Sequence, residues 1–157
     1  MGEGAAPQNF VMFHIGRSGS VVLTDLLNQH PAIHCDGEVL GDGDAQGGFY
    51  RLTPTLLAQG KKLLEPRDPI AVIRTRMSQA GPEKCYGFGM KFYQIRYNDM
   101  TLPPFLLGVE RIGVTRFLVL ERENTLRKIV SSLVAQKRGW KYHVWKGDVP
   151  EPVRVTL

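Results

Sequence analysis

Residues 14 to 22 read HIGRSGSVV, and the residue types in that stretch suit the binding of an anion. Gly16 and Gly19 let the backbone close tightly, Ser18 and Ser20 bring hydroxyl donors, and Arg17 brings a permanent charge with forked donors. A helix beginning here adds unsatisfied backbone N–H groups, that of Val21 among them, and the positive end of its dipole. The chemistry this implies is the holding of phosphate or a similar oxyanion. The ATPase form GxxxxGKS/T is not met, because Val21 and Val22 stand where its Gly-Lys pair would fall. A polar turn with no ligand has the same composition, so the nonapeptide does not decide alone. A second stretch, LVLERENTLRKIVSSLVAQ, puts Arg122 at the end of an apolar run and Ser131 nine residues later in a helical pattern. Two anion sites imply a nucleotide phosphorylated at two places.

Both stretches need a strand before them and a helix after them. NFVMFHI (9–15) is a short continuous apolar run, as in a strand buried on both faces of a parallel sheet. SVVLTDLLNQHP repeats apolar residues at Val22, Leu23, Leu26 and Leu27, a helical spacing that Pro31 stops. TRFLVLE (115–121) and NTLRKIVSSLVAQKR (124–138) form a second strand and helix in the same order. Between the two pairs, DGEVLGDGDAQGG reads as loop, TPTLLAQGKKLLEP and PIAVIRTRM as helices, CYGFGMKFYQI as a strand, and TLPPFLLGVERIG as a helix ending near Gly113. This alternation predicts one α/β domain over residues 1–157, with a mainly parallel central sheet, helices on both faces and a P-loop-like phosphate-binding turn.

The pairing of GRSGSVVLTDLLNQHP with LERENTLRKIVSS resembles the sulfotransferase family that uses 3'-phosphoadenylyl sulfate. The resemblance implies that the first loop binds the 5'-phosphosulfate through Arg17, Ser18, Gly19, Ser20 and the backbone of Val21, where the family usually has Thr. It also implies that Arg122 and Ser131 bind the 3'-phosphate. NQHPAIHCDGEVL is similar to the bacterial carbohydrate branch, the trehalose and nodulation-factor sulfotransferases, in its Gly-Glu pair after the first helix; Glu38 then matches a proposed general base. Members of the family commonly run further than PVRVTL, so the resemblance implies a minimal version or a C-terminally truncated one.

Sulfuryl transfer asks mainly for in-line positioning and for positive charge where the leaving oxygen develops negative charge. Arg17 suits that role, and Glu38 suits the removal of a proton from the attacking hydroxyl. His34, in the loop before Glu38, is the reserve base, although a surface or helix-end histidine is the commoner role for it and for His14, His30 and His143. Lys91, in GFGMKFY, either approaches the site from a strand end or is a solvated lysine. Trp140, Tyr142 and Trp145 either line an acceptor sugar or pack on the core. The scheme requires no metal.

Composition narrows the partners. The chain carries a net charge of +5, with two Arg against six acids in residues 1–60 and eighteen Lys and Arg against nine acids thereafter, so the second part favours an anionic partner. The basic residues do not alternate with stacking aromatics, which favours a small polyanion over nucleic acid. Neither a signal-peptide pattern nor a run of about 18 apolar residues occurs, and the expectation is a soluble, cytoplasmic protein. Cys35 and Cys85 lack metal-ligand spacing and read as reduced, partly buried thiols. The sequence therefore points to an enzyme that moves a sulfuryl group from 3'-phosphoadenylyl sulfate to a carbohydrate or glycolipid hydroxyl. Its alternatives are a catalytically silent nucleotide-binding module and a nucleic-acid-binding protein that uses the basic second part.

Overall fold

The apolar run Asn9–His14 forms strand β1, and all but Asn9 of its residues are buried. The computed structural model describes residues 8–41 and 68–137. In chain order these form β1, helix α1 (Ser20–Leu27), β2 (Ile33–Glu38), α2 (Pro69–Ala80), β3 (Cys85–Lys91), α3 (Phe92–Tyr97), α4 (Leu102–Arg111), β4 (Val114–Leu120) and α5 (Thr125–Lys137). The strands form one parallel sheet in the order β2-β3-β1-β4, so the architecture is α/β with helices flanking a four-stranded sheet. The helix expected over TPTLLAQGKKLLEP and the segment Trp140–Trp145 lie outside the described residues.

The strand order separates the helices. From β1 to β2 the chain steps two places one way, and from β3 to β4 two places the other, so right-handed crossovers put the connections on opposite faces. Side chains agree with this. Val11, Phe13, Tyr86, Phe88 and Met90 meet Ile73 of α2 and Phe105 and Val109 of α4 in one apolar cluster. On the other face the Cys35 thiol meets Thr24 of α1. Asn28 ends α1 by bonding β2, its Nδ2 donating to Cys35 O at 2.8 Å and its Oδ1 accepting from Cys35 N at 2.7 Å. That pairing stops the helix before Pro31, where the sequence pattern places the end.

Two elements differ from the sequence reading. The loop expected from Asp36 onward begins instead as the last three residues of β2, which pair with β3 through a register shift between Asp36 and Glu38. CYGFGMKFYQI, expected as one strand, turns into α3 at Phe92, because the Gln94 side chain folds back and accepts from Lys91 N at 2.8 Å. That bond satisfies the backbone at the strand end and lets the chain leave the sheet. By contrast, α2 starts as the sequence suggests, with Asp68 accepting from Ile70 N at 2.9 Å and Pro69 in the first turn.

Glycine in β3 makes room for β1. Gly87 stands opposite Phe10, and a Cβ there would fall inside the Phe10 ring. Gly87→Ala should therefore lower stability by about 1–3 kcal/mol, through overpacking of a buried ring. Gly16→Ala, whose added Cβ would meet no atom of the other described residues within 4 Å, should stay within about 0.5 kcal/mol of the parent. Urea denaturation of the two variants checks this, and a Gly87→Ala protein as stable as Gly16→Ala would contradict it.

Candidate functional site

In a parallel α/β sheet the carboxyl ends of the strands open onto a crevice. Here the loop after β1, the end of β2, the β3–α3 junction and the β4–α5 junction all reach that edge. The β1–α1 loop leads from His14 to the first residue of α1, Ser20. Gly19 precedes the first turn of α1 with φ 95° and ψ 14°, and no side chain caps that turn. Ser20 and Val21 open α1. The first intrahelical bond runs from Leu23 N to Gly19 O, which leaves the earlier N–H groups without intrahelical acceptors. Arg17 is held at φ 65°, a conformation uncommon for a side-chain-bearing residue. The Ser18 hydroxyl is buried and, among the described residues, has no hydrogen-bond partner.

The structure brings the two sequence stretches together. Arg17 Nε donates to Ser131 Oγ at 2.8 Å, across 114 residues of chain, and Arg122 Nη1 donates to Arg17 O at 3.2 Å. Arg122 stands just beyond β4, and Ser131 lies midway along α5. Two guanidinium groups, a serine hydroxyl and the uncapped start of a helix thus share one end of the sheet, an arrangement that suits oxyanions.

Glu38 ends β2 within a second cluster. Its Oε1 lies 2.7 Å from Lys91 Nζ, and its Oε2 accepts from Gln94 Nε2 at 2.7 Å. Burial by itself disfavours the Lys91 ammonium, but the hydrogen bond and charge of Glu38 outweigh it and hold the Lys91 pKa above the usual lysine value. Lys91 is thus the strand-end lysine and not a solvated one. Gln94 escaped the sequence reading, since nothing in its spacing announces a partner 56 residues away.

His14, the last residue of β1, belongs to the same neighbourhood. It is 2% exposed, its Nδ1 faces Ile15 O at 3.4 Å, and among the described residues its Nε2 has no partner. The ring lies over Gly89, where a Cβ would stand 3.2 Å from Nε2.

Other residues fall elsewhere. His34 sits in β2, four residues before Glu38 and so roughly 13 Å along the strand. It pairs with Asp36 at 3.2 Å, and Asp36 also accepts from the Tyr86 hydroxyl at 2.9 Å. Burial and Asp36 push the Tyr86 pKa up. The geometry does not bring the reserve base to the strand end. Cys35 and Cys85 are free thiols, both with pKa raised by burial. Among the described residues no group of three His, Cys, Asp or Glu could hold a metal ion, and no helix is long and apolar enough to cross a membrane. No family model and no curated protein matches the chain.

The buried imidazole has a consequence for stability. Burial pulls the His14 pKa below 6.5, with Lys91 adding to the effect and with the Ile15 carbonyl and Glu38 opposing it. The unfolded chain takes up this proton near pH 6.5 and the folded chain only at lower pH. The contribution is therefore full above 6.5 and is lost as the pH falls below it. Between about pH 7.5 and about pH 5.5 the parent should lose more stability in urea titrations than His14→Gln does. Equal losses would show that His14 takes up its proton as readily in the folded chain as in the unfolded one.

Proposed function

We propose that the chain is a sulfotransferase of the 3'-phosphoadenylyl-sulfate type, moving a sulfuryl group to a hydroxyl of a carbohydrate or glycolipid. The observation that carries the reading is the hydrogen bond from Arg17 to Ser131, with Arg122 on the Arg17 carbonyl. It makes the β1–α1 loop and the β4–α5 junction one cationic surface, as a nucleotide with phosphates at two positions requires. The loop fits the 5'-phosphosulfate, since Ser18 keeps a buried hydroxyl with no partner among the described residues and the first turn of α1 keeps its N–H groups. Arg122 and Ser131 fit the 3'-phosphate.

On this reading Arg17, Ser18, Gly19, Ser20 and the Val21 backbone hold the phosphosulfate. The acceptor oxygen attacks sulfur, the bond from sulfur to the bridging oxygen breaks, and the electron pair leaves on the nucleotide phosphate. Arg17 stabilises the charge that develops there. Glu38 takes the proton lost by the acceptor hydroxyl. Lys91 and Gln94 orient its carboxylate.

Calorimetric titration tests the nucleotide assignment. Removing the 3'-phosphate from 3'-phosphoadenosine 5'-phosphate should cost several kcal/mol, since each charge-assisted hydrogen bond contributes about 1.5–3 kcal/mol. Arg122→Ala should abolish that preference with the far-UV spectrum unchanged. Equal affinity of the parent for both nucleotides would remove the assignment.

The base assignment has its own test. Glu38→Gln turns one carboxylate oxygen into an amide that must face Lys91 or Gln94, and it removes the proton acceptor. Transfer should slow by about 100-fold or more while nucleotide affinity is kept. A Glu38→Gln enzyme that keeps most of its turnover would take the base role away from Glu38. A parent chain that binds the donor and transfers nothing to any sugar would make the silent nucleotide-binding module the better account.

A further inference from the structure

Helix α3 exposes an aromatic pair beside Glu38 that the chemistry above does not use. Phe92 stacks on Phe13 at 4.9 Å with ring planes 8° apart, and Gln94 and Ile95 are buried, so this side of the helix is anchored. Tyr93 and Tyr97, four residues apart and hence on one helical face, are 47% and 40% exposed. Their rings lie 5.1 Å apart and are tilted by 55°. The pair is continuous with the Glu38 cluster. Lys91, which bonds Glu38, has its Nζ 5.6 Å from the centre of the Tyr93 ring.

We infer that Tyr93 and Tyr97 form the acceptor subsite, on which the apolar face of a neutral pyranose ring stacks so that one of its hydroxyls reaches Glu38. This rests on the proposed function for the role of Glu38, while the sugar-binding platform itself rests on the rings. The chemistry of the patch selects the class. A pyranose presents C–H groups on one face and hydroxyls around its rim, which matches two half-exposed phenol rings with the Lys91 ammonium beside one of them. An acyl chain or sterol would demand an enclosed apolar groove, whereas these rings are shallow and open.

Saturation-transfer difference NMR on the full chain tests this, with maltose as the sugar probe and 1-hexanol as an apolar hydroxyl probe. Tyr93→Ala and Tyr97→Ala should each weaken maltose binding by about tenfold, the loss of one ring contact. Tyr97→Phe, which keeps the ring and guards against a failure of Tyr97→Ala to fold, should stay within about threefold of the parent. The affinity for 3'-phosphoadenosine 5'-phosphate, titrated on the same proteins, should be unchanged. Tyrosine-dependent maltose binding in a chain that does not bind the nucleotide would sink the proposed function and leave the platform standing. No maltose binding, maltose binding indifferent to both alanine variants, or tyrosine-dependent binding of hexanol in place of maltose would overturn the platform.

Discussion

Arg17 Nε donates to Ser131 Oγ at 2.8 Å, a hydrogen bond that bridges 114 residues. It joins a loop that follows the first strand to a helix that follows the last. β1 and β4 are neighbouring parallel strands, so their carboxyl ends open on the same side and close to each other. The sheet order thus has a direct chemical result. Placing β1 between β3 and β4 puts Arg17 within reach of Arg122 and Ser131 on one flank, and His14 opposite Lys91 on the other.

The same order explains the division of labour along the sheet edge. The flank near β4 gathers positive charge and hydroxyls, while the flank near β2 and β3 holds a carboxylate matched by an ammonium and an amide. The first arrangement suits a polyanion, and the second suits the control of a proton. The core beneath supports both. Val11 and Phe13 of β1 are locked among Phe88, Met90 and Phe105, and Gly87 and Gly89 leave room on the opposite face for Phe10 and His14. A rigid β1 fixes where the loop begins.

Much of this was legible in the sequence for physical reasons. An apolar run followed by helical spacing is local information, and it located β1, α1, β4 and α5 together with Arg17, Ser18, Arg122 and Ser131. The parts that stayed hidden depend on distant partners. Aromatic residues in MKFYQI suit a strand, and only the bond from Lys91 N to Gln94 Oε1 tips the segment into α3. Asp36 and Gly37 look like loop, yet pairing with β3 keeps them in a strand and moves His34 away from the site. Lys91 was a candidate without a partner until the fold set it 2.7 Å from Glu38. His14 was merely a strand residue, and its buried nitrogen, without a partner among the described residues, emerges only from packing.

The central claim is that the two strand–helix junctions act as one anion site. The most direct measurement is a titration of isotope-labelled protein with 3'-phosphoadenosine 5'-phosphate, followed through backbone amide shifts. The account predicts that amides of residues 16–22 and of residues 121–131 shift together with a single dissociation constant, and that the analogue lacking the 3'-phosphate moves the first group far more than the second. Shifts confined to one junction, or two junctions titrating with different constants, would contradict it.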